Sequence, residues 1–229
     1  MNKLSSDIPS QEQILKDRQK GIGWYVLNVA TLIFTIQEDR LKILLEKRTA
    51  SPEERKWVIL GKFLDYGKTL EETAQSKLQE IFGSTRAYLE QLYLYGDPDK
   101  KIGKKVLTII YLLLVPNGKI KESNLQWFPV QKLPVMAFDN KEIIKYGCQR
   151  LQNKATNTTI VAGFLPKKFR LSELQKAYEI VLEKSLNKRN FRTKILSLGI
   201  LKKTGEMEKK GAHRPAMLYQ FKKEGISLI

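Results

Sequence analysis

The longest predominantly apolar run in the chain, Val106 to Val115, covers ten residues. A membrane-spanning helix needs about 20, so this run reads as a strand. The other apolar segments are short and separated by turn signals, which points to an α+β fold. Val26 to Ile36 and Leu41 to Leu45 flank the turn-like Glu38-Asp39 and predict a hairpin. Trp57 to Leu64 is a further apolar segment. Thr69 is expected to cap a helix through about Phe82, with Glu72 completing a capping box and Gly83 stopping it. Leu70, Ala74, Leu78 and Ile81 would form its apolar face. Tyr88 to Tyr95 and Lys105 to Val115 read as strands joined by Gly96-Asp97-Pro98-Asp99, and Asn140 to Gln152 as a helix.

Composition narrows the class. Hydrophobic residues make up 42%, enough for a core, which excludes global disorder. The single cysteine, Cys148, excludes an intrachain disulfide and a Cys-only metal site. The polar N-terminus, residues 1–20, has no signal-peptide segment and reads as a tail or helix. A cytoplasmic protein is expected, with no membrane partner. The net charge of +17 calls for an anionic partner. That charge is uneven: residues 155–229 hold 16 Lys+Arg against 6 Asp+Glu. The polar stretch Lys154-Ala155-Thr156-Asn157-Thr158-Thr159 marks the neighbourhood of a domain boundary, dividing residues 21–155 from 156–229.

The basic C-terminal part predicts two helices. Ser172 would cap the first, which runs to Leu182; Asn187 would cap the second, which Gly199 ends. A glycine- and charge-rich loop, Thr204 to Gly211, and a short extended segment, Ala216 to Phe221, follow. This order describes a winged helix-turn-helix. On a helical wheel, Phe191, Ile195 and Leu198 fall within about 60°. The opposite side holds Arg189, Arg192, Thr193 and Ser197, with Asn190, Lys188 and Lys194 toward the flanks, side chains that can reach base edges and phosphates in a major groove. Leu196 sits awkwardly on that side, where it would have to meet another element. Lys202, Lys203, Lys209, Lys210, His213 and Arg214 would add wing contacts.

The stretch Trp57 to Gly83 resembles a Nudix box, and Trp127-Phe128-Pro129 with Leu133-Pro134 resembles the segment before that family's last helix. In active members, helix glutamates hold Mg²⁺ against a pyrophosphate. Here the first glycine position is Lys62, the first glutamate Lys68 and the arginine Ser76, and the three helix glutamates are Lys77, Glu80 and Ile81. Only Glu80 and Gly83 match, so hydrolysis is expected to be lost. No catalytic residue, metal site or cofactor is expected. Phe169 to Glu179, Asn187 to Lys194 and Gly211 to Phe221 closely resemble the Nudix-related transcriptional regulators of the NrtR family. That resemblance implies a Nudix-like α/β/α sandwich joined to a DNA-binding winged helix, usually dimeric. It implies control of NAD metabolism, often through ADP-ribose, or of sugar catabolism, including arabinose.

The leading expectation is a ligand-responsive DNA-binding transcriptional regulator, a repressor, acting as a homodimer on a near-palindromic operator in double-stranded DNA. A nucleoside-diphosphate hydrolase of ADP-ribose-type substrates with a basic extension is the alternative; it needs the missing carboxylates. An RNA-binding protein would favour aromatic stacking platforms, which the basic helix lacks. For the effector, Lys62, Lys68 and Lys77 would be able to hold a pyrophosphate without Mg²⁺. The eroded box nevertheless tips the expectation toward a free pentose such as L-arabinose over ADP-ribose. Arg48, Lys56, Lys62, Lys77 and Glu80 are the candidate pocket residues.

Overall fold

The computed structural model describes residues 25–51, 53–83, 88–97, 105–116, 120, 122–208 and 215–223. The expected N-terminal tail and the wing residues Lys209, Lys210, His213 and Arg214 lie outside the described residues. The first part contains β1 (Tyr25–Gln37), β2 (Arg40–Lys47), β3 (Trp57–Phe63), α1 (Leu70–Phe82), β4 (Tyr88–Asp97), β5 (Lys105–Leu114), β6 (Leu125–Pro129) and α2 (Asn140–Asn157). A 3-10 turn (Ile160–Phe164) leads into β7 (Phe169–Arg170), α3 (Leu171–Leu182), α4 (Lys188–Ser197), β8 (Leu201–Glu208) and β9 (Ala216–Phe221).

The six strands of the first part form one mixed sheet in the order β4-β5-β1-β3-β2-β6. β1 pairs parallel with β5 from Tyr25↔Lys105 to Phe34↔Leu114. Its other edge is divided: Asn28 to Thr31 pair with β3, and Phe34 to Gln37 pair with β2. Side chains alternate across the pleat. Val29 and Ile33 face α1, while Ala30, Leu32 and Phe34 face α2. Both helices therefore cover a sheet face, which yields the expected α/β/α sandwich.

α1 follows its local signals. Thr69 Oγ1 accepts the Glu72 N–H at 3.1 Å, and Glu72 Oε2 accepts the Thr69 N–H at 2.8 Å. Gly83 takes the left-handed φ of 65° that stops the helix. Ala74, Leu78 and Ile81 are buried against the sheet. The expected Gly96-Asp97 turn is corrected: both residues extend β4, opposite Leu107 and Val106, because the ladder with β5 continues through them. Pro98 and Asp99 lie outside the described residues.

α2 runs past the expected Gln152 to Asn157, because Leu151 and Ala155 are buried in the core. The polar stretch after Lys154 is therefore no open linker. Thr159 is 1% exposed, and Ile160 and Val161 are fully buried. One apolar cluster continues from Leu32 and Phe34 through Ile143 and Ala155 to Leu174, Ile195 and Tyr219 of the second part. A half-buried clamp ties α2 to the outer strand β4. Glu90 accepts from Tyr88 Oη at 2.6 Å and lies 2.7 Å from Lys154 Nζ and 3.0 Å from Arg150.

The second part carries a three-stranded sheet ordered β7-β9-β8. The cap expected at Ser172 is corrected. Helix α3 starts one residue earlier, and Glu173 accepts both the backbone N–H and the guanidinium of Arg170, each at 2.8 Å. Thr204 to Glu208, expected as loop, belong to β8. The register shifts between Lys203 and Met207, and Thr204 Oγ1 bonds the Leu218 carbonyl at 3.1 Å, so the strand survives its glycine.

Two outcomes test this fold. A Cβ at Gly163 would lie 2.8 Å from the Leu114 Cβ. Gly163→Ala should therefore destabilise the chain by about 1–3 kcal/mol, read by denaturant unfolding. Burial opposes ionisation of Glu90, yet hydrogen bonds from Lys154, Tyr88 and Arg150 hold its carboxyl below the ordinary 4.5. A depressed folded value stabilises above the unfolded pKa and is lost on acidification. Wild type should exceed Glu90→Gln in stability at neutral pH, with the difference vanishing as pH falls well below 4.5.

Candidate effector cleft and nucleic-acid interface

A cleft of about 700 Å³ opens where the sheet face toward α2 meets that helix's N-terminus. Its floor is polar. Asn28 and Thr108 stand opposite each other in the parallel β1–β5 ladder, and Asn28 Nδ2 donates to Thr108 Oγ1 at 3.4 Å. Gly61 of β3 lies beneath them: a Cβ there would sit 3.3 Å from Asn28 Nδ2. Asn140, 7% exposed at the start of α2, accepts the Ile59 N–H through Oδ1 at 2.8 Å. This bond locks the helix terminus to the β3 rim.

The segment before α2 is held in the same way. Trp57 donates its N–H to the Val135 carbonyl at 3.1 Å and accepts from Ala137 at 2.9 Å. Phe138 then adopts φ 51°, and its ring lies 5.0 Å from the Arg48 guanidinium. Tyr95 of β4 donates its hydroxyl to the Asp139 carboxylate. Phe63, the last residue of β3, lines the cleft and is 62% exposed. The cleft thus combines amide, hydroxyl, guanidinium and aromatic faces.

Of the five effector candidates, Arg48 and Lys62 line this cleft. Lys62 Nζ pairs with Asp65 at 2.8 Å, and Lys68 shares that carboxylate at 2.8 Å. The Lys62 bond raises the ammonium above its ordinary 10.5 and, with Lys68, lowers the Asp65 carboxyl below its ordinary 3.8. Lys56 pairs with Glu53 in the turn between β2 and β3. Lys77 pairs with Glu80 at 3.0 Å on α1, beside the buried Ile81. These last three candidates do not line the cleft. Asn28, Thr108, Phe138, Asp139 and Asn140 line it and were missed. The available signal was the polar interruption of two apolar strands by Asn28 and Thr108.

The second surface is α4. Asn187 Oδ1 accepts the Asn190 N–H at 3.0 Å, capping the helix as expected, and Gly199 follows it at φ 64°. Ile195 is buried, and Phe191 packs on Tyr178 with ring centres 5.7 Å apart. Lys188, Arg189, Asn190, Arg192, Thr193 and Lys194 are all exposed. Leu196, expected to meet another element, stays 39% exposed among them.

Two family models match the chain in succession. Residues 26–147 match the NUDIX domain, and residues 161–221 match the NrtR DNA-binding winged helix domain. An "ADPR responsive transcriptional repressor NtrR" from Acinetobacter baylyi is 30% identical, covering 95% of this chain and 91% of that protein. The chain belongs to the NrtR family. The crystal structure of Shewanella oneidensis NrtR complexed with a 27mer DNA superposes with a TM-score of 0.77 at 30% identity, covering 86% of this chain and 93% of that one. An ADP-ribose pyrophosphatase from Methanocaldococcus jannaschii is 30% identical, covering 58% of this chain and 82% of that enzyme. Family membership makes the chain a ligand-responsive, DNA-binding regulator, and residues 161–221 match the family's DNA-binding winged helix.

The exposed face of α4 yields a sorted prediction. Arg189 and Thr193 point most directly away from the Phe191–Ile195 back, so Arg189→Ala should cost about 1–3 kcal/mol on the operator and relax preference at one position. Lys194→Ala should weaken operator and random duplexes alike and reduce the salt slope by about one. Equal losses for Arg189→Ala on both duplexes would show that α4 does not read sequence.

Proposed function

We propose that this chain is a transcriptional repressor whose cleft binds ADP-ribose without hydrolysing it. In this reading residues 21–155 sense the effector, and residues 156–229 bind a near-palindromic operator as one half of a homodimer. The carrying observation is the cleft itself, where Arg48 and Lys62 line the same space as the Asn28–Thr108 floor and three aromatic rings, Phe63, Tyr95 and Phe138. A pyrophosphate needs cations, ribose hydroxyls need amide and hydroxyl partners, and adenine needs an aromatic face. The volume of about 700 Å³ suits a ligand of that size. The Acinetobacter baylyi relative is named as ADPR responsive. ADP-ribose therefore replaces the free pentose favoured on the eroded Nudix box. Nothing in the cleft calls for the pentose alone.

Loss of hydrolysis is supported by what occupies the metal-binding positions. Ile81 is in the core and has no donor, and Lys77 is a cation already paired with Glu80. Two of the three carboxylates that would anchor Mg²⁺ are absent.

Calorimetry and mobility shifts test the proposal together. ADP-ribose should bind without Mg²⁺, with affinity that falls as salt rises because phosphate contacts are screened. It should weaken the DNA complex, and DNA should weaken ADP-ribose binding by the same factor. Arg48→Ala should cost the cleft about 1.5–3 kcal/mol. Absence of ADP-ribose binding would overturn the effector assignment. Metal-dependent turnover at about 1 per second or more would overturn the loss of chemistry.

A further inference from the structure

We propose that the sensor domain also touches DNA: Arg40, Lys132 and Lys184 form a basic ledge at the seam between the domains that takes backbone phosphates flanking the bases read by α4. This rests on the DNA-binding role of the winged helix and extends it to a surface outside that domain.

The ledge rims a groove of about 560 Å³ between the β1–β2 turn, the segment after β6, and α3. Two polar bolts cross the groove. Lys176 Nζ lies 3.1 Å from the Asp39 carboxylate, and Gln131 Nε2 donates to Glu183 Oε1 at 2.8 Å. Asp39 and Glu183 both sit at left-handed backbone angles, φ 58° and 52°, so their tight turns set where the bolts lie. Each of three bolt residues is followed in the chain by a cation: Asp39-Arg40, Gln131-Lys132 and Glu183-Lys184.

The carboxylates of the groove each have a hydrogen-bond partner, a cation for Asp39 and neutral groups for Glu183 and Glu179. Asp39 serves Lys176, Glu183 serves Gln131, and Glu179 Oε1 accepts the Leu186 N–H at 2.9 Å and Gln175 Nε2 at 3.1 Å. Arg40 lies near Glu38, but the Glu38 carboxylate is bonded to Lys42 at 2.7 Å. The side chains of Arg40, Lys132 and Lys184 are exposed, and among the described residues no hydrogen bond or ion pair occupies them. The bolts thus fix the backbone while leaving three cations unspent on one rim.

The position of that rim selects the partner. Lys184 closes α3 and is separated from Lys188 of α4 only by Ser185-Leu186-Asn187, a turn tied to α3 through Glu179. In a helix-turn-helix the recognition helix enters the groove while the helix before it crosses the backbone. The ledge therefore continues the basic surface of α4 toward phosphates. Contacts of this kind position the protein without reading sequence.

The test uses the full chain and a random-sequence duplex, because phosphate contacts are sequence-independent. The Arg40→Gln/Lys132→Gln pair lies wholly on the sensor domain. It should lower the slope of log affinity against log salt by about 1.8, at about 0.9 for each phosphate that is no longer neutralised. A Lys141→Gln/Lys145→Gln pair makes the same charge change on the exposed side of α2 and should leave the slope unchanged. ADP-ribose binding should be the same in the ledge variant and wild type. An unchanged slope in the ledge variant, or an equal loss in the α2 variant, overturns the proposal while leaving the winged helix as the DNA-binding surface. Saturable binding of inorganic phosphate that disappears in the ledge variant, with the slope unchanged, assigns the ledge to a small anion and overturns it too. A wild-type chain that binds no duplex at any salt overturns the DNA-binding reading itself.

Discussion

β1 is hydrogen-bonded on both edges along nearly its whole length, and the rest of the molecule is arranged around that fact. One edge runs parallel to β5 for ten consecutive pairs. The other is divided between β3 and β2. A strand placed this way has no freedom to slip, since a one-residue shift would turn Leu32 and Phe34 away from α2 and bring Ile33 into their place. The same register brings Asn28 opposite Thr108. The polar floor of the cleft is thus set by the pairing that builds the core.

α2 connects the candidate cleft with the winged helix. Its first residues, with Asp139 before them, line the cleft, and Leu151 and Ala155 near its end share one apolar cluster with Leu174 and Tyr178 of α3. Tyr178 of α3 donates its hydroxyl to the Thr158 carbonyl at 3.2 Å, and burial raises that phenol to about 12, so it stays a neutral donor at any physiological pH. Eighteen residues of helix span about 27 Å. The helix also passes close to the sheet: a Cβ at Gly147 would lie 2.4 Å from Leu32 Cδ1. Cleft, helix and DNA-binding part therefore share one set of contacts.

The elements legible in the sequence were those whose signals are local. Thr69, Glu72 and Gly83 lie within one helix and its caps, and Asn187 with Gly199 brackets α4 in the same way. The cleft was illegible because its floor joins residues 80 positions apart, and no local pattern pairs Asn28 with Thr108. The start of α3 was misplaced because Glu173 caps it at Arg170, a residue that also lies 3.2 Å from Glu208 on β8. The Nudix resemblance located Lys62, Lys68, Lys77 and Glu80 as a set, but neither Asp65 nor the pairing of each cation with a carboxylate. Asp65 and Glu80 became partners only once the loop and α1 were folded.

The unbroken apolar cluster between the two parts has a mechanical consequence. A hinge needs a layer of weak contacts that can part and re-form, and Ile160, Val161 and Phe164 fill that layer with buried side chains instead. Gly163 brings the connecting turn against Leu114 with no room for even a methyl group. Strain introduced at the cleft then has no soft joint in which to dissipate. In the proposed homodimer each protomer would transmit it as a stiff body, and the motion left to two stiff bodies is a change in the separation and tilt of their reading heads.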